Sequence, residues 1–194
     1  MKPRTLLAAL AAAVVVFIWQ TISHMALPWH QAAFSQFKDA AAVQKVLEDN
    51  ADGPGIYMVP WADHHDEEAM KQAMEQWDTG FSMFASVRPN GSNSFGESFV
   101  QQFVWNFLGA FFIAFLLVKL NLKGTTCKVG TTVFFALFTV VVGILPNWTW
   151  WGFGNSFIAD TLIGWTLAGF VLAKLLPYVE ETANESAPEP TSED

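Results

Sequence analysis

The chain has 194 residues, of which 52% are apolar and only 14% charged, with a mean hydropathy of +0.29. This apolar and aromatic content excludes a disordered chain. Ten basic against eighteen acidic residues leave a net charge of −8 and no footprint for nucleic acid. A single cysteine, Cys127, excludes an intramolecular disulfide framework and a CxxC redox site. What remains is an integral membrane protein, with the lipid bilayer as its first partner.

Crossing a hydrocarbon core of about 30 Å takes about 20 apolar residues in a helix. Four segments are predicted to do so, at Leu6–Leu27, Phe99–Val118, Val129–Leu145 and Ser156–Leu176. The basic residues of MKPR before the first run resemble the start of a signal peptide. The run is longer than such a signal needs, and no small-x-small site follows it, so residues 1–27 are read as an uncleaved signal anchor. The third run is short and carries Thr131, Thr132 and Thr139.

Lysine and arginine set the expected orientation. Lys2, Arg4, Lys119, Lys123, Lys128 and Lys174 fall where a cytoplasmic side requires them, whereas 28–98 holds four basic and eleven acidic residues. Both termini are therefore expected inside a bacterial inner membrane, with 28–98 and the 146–155 turn outside. Trp29, Trp105, Trp148, Trp150 and Trp151 would form the outer interfacial belt. Residues 177–194, with six acids and three prolines, read as a disordered cytoplasmic tail.

Pro28 should end the first span, because it breaks the backbone hydrogen-bond ladder. From Gln31 to about Asn50 the composition is helical, until Asp-Gly-Pro-Gly at 52–55 stops it. Residues 55–60 and 80–87 read as strands. Between them, 66–77 is an amphipathic helix with Met70, Met74 and Trp77 on its apolar stripe. A crossover through that helix would make the strands parallel. The predicted fold class is thus a membrane all-α bundle of four transmembrane helices (residues 99–176 supplying the last three), with a small α/β extracytoplasmic cap at 28–98.

Two groups of side chains invite chemistry. Asp160 lies inside the fourth span, where a carboxylate costs about 2.5–3.5 kcal/mol on insertion scales. It should therefore face the bundle interior or water. His24, Gln101, Gln102 and Asn106 fall at similar depth in the first and second spans, and together they form a candidate polar membrane cluster for a proton, ion or small polar ligand. An up-down circuit of four helices brings the first and last together, so His24 should approach Asp160 with Gln102 or Asn106 nearby. The second group, His30, Asp63, His64, His65 and Glu68, has the ligand types of a divalent transition metal. The same acids would also serve as caps of the 66–77 helix. Gly164, Ala168 and Gly169 are small enough for close helix packing.

No catalytic motif stands out, so no enzyme and no obligatory cofactor is expected. The layout resembles that of claudin-like tetraspan proteins, without their loop cysteine pair or W-GLW pattern. The expected function is a non-enzymatic interaction, accessory or assembly role among other membrane subunits or through self-association. The alternative is an ion, proton or metal-handling transport protein. The topology predicts that a cysteine placed at residue 123 reacts with an impermeant maleimide only after cells are permeabilised, while cysteines at 70 and 151 react in intact cells. Labelling of residue 123 from outside would reverse the orientation.

Overall fold

The computed structural model describes residues 3–89, 91 and 94–176. The predicted tail at 177–194 lies outside them, as do Lys2 and part of the turn after residue 87. Four helices are long and apolar enough to cross a membrane, and the chain is in that sense a multi-pass membrane protein. They are α1 (Pro3–Ala26), α5 (Phe95–Lys119), a continuous helical run over Thr125–Trp151, and α8 (Ser156–Leu175). Between α1 and α5 lie α2 (Pro28–Gln31), α3 (Ala40–Asn50), β1 (Gly55–Val59), α4 (Glu67–Thr79) and β2 (Met83–Val87).

The third long helix extends beyond the predicted 129–145. It begins as α6 (Thr125–Thr139), passes through a π-helical turn at Val140–Ile144, and continues as α7 (Leu145–Trp151). Pro146 explains the turn. Proline clashes with the carbonyl four residues back and supplies no N–H. The wider π turn absorbs that misfit, with Leu145 N–H bonding back to Val140 O. Asn147 Nδ2 donates to Gly143 O, satisfying a carbonyl in the same turn. Gly152, at φ +68°, ends the helix in the left-handed conformation that glycine adopts without strain. The turn between the third and fourth long helices is therefore 152–155, shorter than the predicted 146–155.

Each long helix buries a narrow stripe spaced by about four residues. On α8 it is Asp160, Gly164, Ala168 and Leu172; on α5, Asn106, Ala110, Ala114 and Leu117; on α6, Lys128, Thr132 and Ala136. Helix α1 buries a broader alanine face, Ala8, Ala9, Ala12 and Ala13 with Val16, because it packs along both α5 and α8. Helix α8 in turn packs along α6, while α5 and α6 barely meet. The four helices are thus an open arrangement centred on the antiparallel α1–α8 pair, not a closed ring. In lipid, helix association has no hydrophobic drive and depends on close van der Waals contact. Glycine and alanine supply it here. A Cβ on Gly164 would lie 2.9 Å from Trp19, and one on Gly169 would lie 3.1 Å from Thr132 Cβ and 3.3 Å from Val129 Cα. At the opposite end from Asp160, Arg4 Nε donates to Leu175 O at 2.9 Å and the buried Lys128 ammonium donates to Leu176 O. Both cations sit where the negative end of the α8 dipole favours them.

The segment between α1 and α5 departs from expectation in three respects. Helix α3 starts only at Ala40, N-capped by Asp39, so Phe34 and Phe37 precede it and are exposed. The strands pair antiparallel, with Gly55 opposite Val87 and Val59 opposite Met83. The connection has two legs, the non-helical 60–66 segment and then α4, so the chain returns to the end of β1 that it left. On α4 the apolar stripe is only partly covered: Met74 is exposed and Met70 and Trp77 are half-buried. Phe84 of the sheet stacks on Trp151 of α7 with ring centroids 4.1 Å apart and meets Phe153 edge-on at 6.1 Å.

Replacing Gly169 by leucine should wedge α6 from α8 and cost about 1–3 kcal/mol, the range for overpacking a close contact. Gly130→Ala, at a position with open space around it, should be neutral or stabilising through helix propensity. Thermal unfolding in detergent would compare them; equal melting temperatures for wild type and Gly169→Leu would show that this contact does not hold the pair.

Candidate metal centre

The site lies where the α1–α2 corner meets the first turns of α8. Leu27 precedes Pro28 and is therefore pushed into extended conformation, at φ −100° and ψ 141°. This ends α1. Pro28 then opens α2, since proline fits the first turn of a helix. The corner folds the chain back, so that His30 returns over the last turn of α1. The two imidazoles stack, with His24 and His30 ring centroids 3.8 Å apart and 18° between planes. In the turn that leads into α8, Gly154 makes the approach possible, for a Cβ there would lie 2.7 Å from Ala33 Cβ. The chain just beyond α2 thus rests on the start of α8.

Asp160 faces both imidazoles. Its Oδ2 is 3.8 Å from His24 Nδ1 and 3.9 Å from His30 Nε2. One ligand atom from each of the three residues lies within 4.8 Å of the others. Asp160 and His30 are buried, whereas the His24 side chain is 45% exposed. Trp19 Nε1 donates to the Asp160 backbone carbonyl at 3.1 Å, and Gly164 leaves the room for that indole. Ser23 Oγ accepts from Trp29 Nε1 at 2.9 Å and lies 3.1 Å from His30 Nε2. His24 Nδ1 contacts its own helix at Gln20 O, 3.0 Å away.

Two buried atoms of the trio, Asp160 Oδ1 and His30 Nδ1, have no hydrogen-bond partner; the nitrogens nearest Asp160 Oδ2 do, His30 Nε2 at Ser23 Oγ and His24 Nδ1 at Gln20 O, so an ion there would replace the Gln20 contact. Leaving such groups unmatched costs about 1–3 kcal/mol each, so the arrangement is one that a bound ion or water would relieve. Burial holds the pKa of His30 below the ordinary histidine value, and the adjacent His24 lowers it further; Asp160 opposes them. Tetrahedral zinc with ligands at about 2.0–2.1 Å needs donors about 3.3 Å apart. The carboxylate–imidazole separations are half an ångström or so wider, a gap that side-chain torsions span.

The other candidate residues lie elsewhere. Gln102 and Asn106 pair with Gln20 of α1, not with the histidines: Asn106 Nδ2 donates to Gln20 Oε1 at 2.7 Å, and Gln102 Nε2 donates to Asn106 Oδ1 at 3.1 Å. Gln101 is exposed and stands outside that network. The proposed polar cluster is therefore two groups on two sides of α1. Asp63, His64, His65 and Glu68 are exposed, and they join no metal-ligand group among the described residues. Asp63 Oδ1 accepts from the His65 backbone N–H, and Glu68 pairs with Gln72, so these acids serve local structure around α4. Of the residues first grouped with them, His30 alone reaches the site. Sequence reasoning missed Ser23, Trp19, Trp29 and Gln20. The available signal was Pro28, which turns a six-residue separation of two histidines into a stacked pair.

Compared with known proteins, the chain matches no family model, no curated protein and no solved structure.

The Ser23 hydroxyl bridges the buried His30 and the half-buried Trp29, so Ser23→Ala should destabilise the α1–α2 corner by about 1–3 kcal/mol. Thermal unfolding in detergent, followed by circular dichroism, would report the loss as a lower melting temperature. A melting curve identical to wild type would mean that neither Trp29 nor His30 depends on that hydroxyl.

Proposed function

We propose that this chain is a multi-pass protein of a bacterial inner membrane that binds a divalent transition-metal ion at its outer face, through His24, His30 and Asp160. The convergence of two imidazoles and one carboxylate on a single point carries the reading. Imidazole and carboxylate donors suit zinc, copper, nickel or iron. Positive-inside charge placement supports cytoplasmic termini, with α1 as an uncleaved anchor, which would put the ion on the extracytoplasmic side. An intramembrane or interfacial carboxylate is costly enough to be kept for a purpose. The role that follows is metal handling, either retaining the ion or passing it on.

A second reading, a non-enzymatic accessory or assembly protein, is favoured by a separate observation. Phe34, Phe37, Trp61, Met74 and Phe81 of the outer segment are 60–76% exposed, and apolar side chains in such number outside a bilayer suit a protein partner.

One preparation tests both. Purified in mild detergent, the full chain should carry or take up about one zinc or copper ion, measured by elemental analysis and calorimetry. Asp160→Asn and His30→Ala should each weaken binding by more than about tenfold, the scale on which even outer-shell partners act. His64→Ala and His65→Ala should leave it unchanged. No uptake by wild type, or equal affinity in the Asp160→Asn variant, would sink the metal reading. A stoichiometric co-purifying partner from native membranes would favour the second.

A further inference from the structure

We propose that the ion held by His24, His30 and Asp160 keeps a coordination position open toward the outer side, and that this position takes a small monoanionic ligand. The inference rests on the metal reading above and deepens it.

Three observations carry it. The first is donor number. Among the described residues only these three supply a converging set of histidine or acidic ligands. Closed structural zinc sites have four protein ligands, whereas three protein ligands leave one position for water or an exogenous group.

The second is shape. His30 and Asp160 close the inner side of the site, and His24 is nearly half exposed. A surface pocket of about 500 Å³ has His24 and His30, though not Asp160, in its wall, together with Met25, Pro28, Gln31 and Phe34. A water molecule occupies about 30 Å³, so the space admits a ligand of several heavy atoms.

The third is charge. A divalent ion with two neutral imidazoles and one carboxylate carries a net charge of +1. No lysine or arginine lines this pocket, and outside the histidines Gln31 is its one polar side chain. Uncompensated charge beside apolar walls is costly. A monoanion brings the centre to zero. A neutral ligand leaves +1, and a dianion overshoots to −1. Coordination by a monoanion is a ligand exchange: a metal–oxygen bond to water breaks, a bond to the anion forms, and no electron is transferred.

The test uses the full chain in detergent, loaded with copper(II), and sodium azide as the probe. Azide bound to copper(II) gives a charge-transfer absorption absent from either component. The expected result is a band that saturates at one azide per copper, disappears in Asp160→Asn, and is displaced by formate but at least about tenfold less well by sulfate. One tightly bound copper per chain with no azide band would show a closed site, overturning this inference while the metal reading stood. Sulfate competing as well as formate would overturn the monoanion assignment. Failure of wild type to bind any copper, zinc, nickel or iron would remove the metal reading, and this inference with it.

Discussion

Everything at the Asp160 end of the long helices depends on how closely α1 and α8 approach. Gly164 and Ala168 give α8 a nearly flat flank, and the alanine face of α1 lies against it. In lipid, such contact is the available source of helix affinity. With a larger residue at 164, Trp19 would lose its place, and with it the bond to the Asp160 carbonyl. The depth and facing of Asp160 are thus consequences of a glycine four residues away.

Two proline-induced irregularities shape the ends of the spans. At Pro28 the chain cannot continue as helix, and the residue before it must extend; the outcome is a one-turn helix that returns His30 to the end of α1. At Pro146 the chain does continue, because a π turn redistributes the hydrogen bonds, and the helix carries Trp151 outward to stack on Phe84 of the sheet. The first irregularity builds the candidate metal centre. The second gives the outer segment its contact with the helices.

The polar groups near the membrane divide by partner chemistry. Gln20, Gln102 and Asn106 satisfy one another across α1 and α5, as amides in an apolar setting must. The other group is left incomplete. Ser23 and the two tryptophans hold the frame around His30 and Asp160, yet His30 Nδ1 and Asp160 Oδ1 are buried without a hydrogen-bond partner. A structural amide network ends in mutual satisfaction, whereas a ligand site keeps unspent capacity. That difference separates the two groups more clearly than residue type does.

The four apolar helices and the amphipathic pattern of α4 were legible in the sequence, because hydropathy and periodicity are local properties of consecutive residues. The closeness of His24 and Asp160 could be reasoned from an up-down helix circuit, since antiparallel first and last spans put residues of equal depth side by side. His30 could not be placed that way. Its position depends on which direction the chain leaves Pro28, and that is decided by Gly154 admitting Ala33 against α8. The parting of Gln102 and Asn106 from the histidines was equally hidden, because it follows from the rotation of each helix about its axis, which packing sets and composition does not. Sequence therefore determined which segments are helical and which polar residues share a depth. Tertiary structure alone decided which of them face one another, because facing depends on close contacts between residues that are 82 to 141 positions apart.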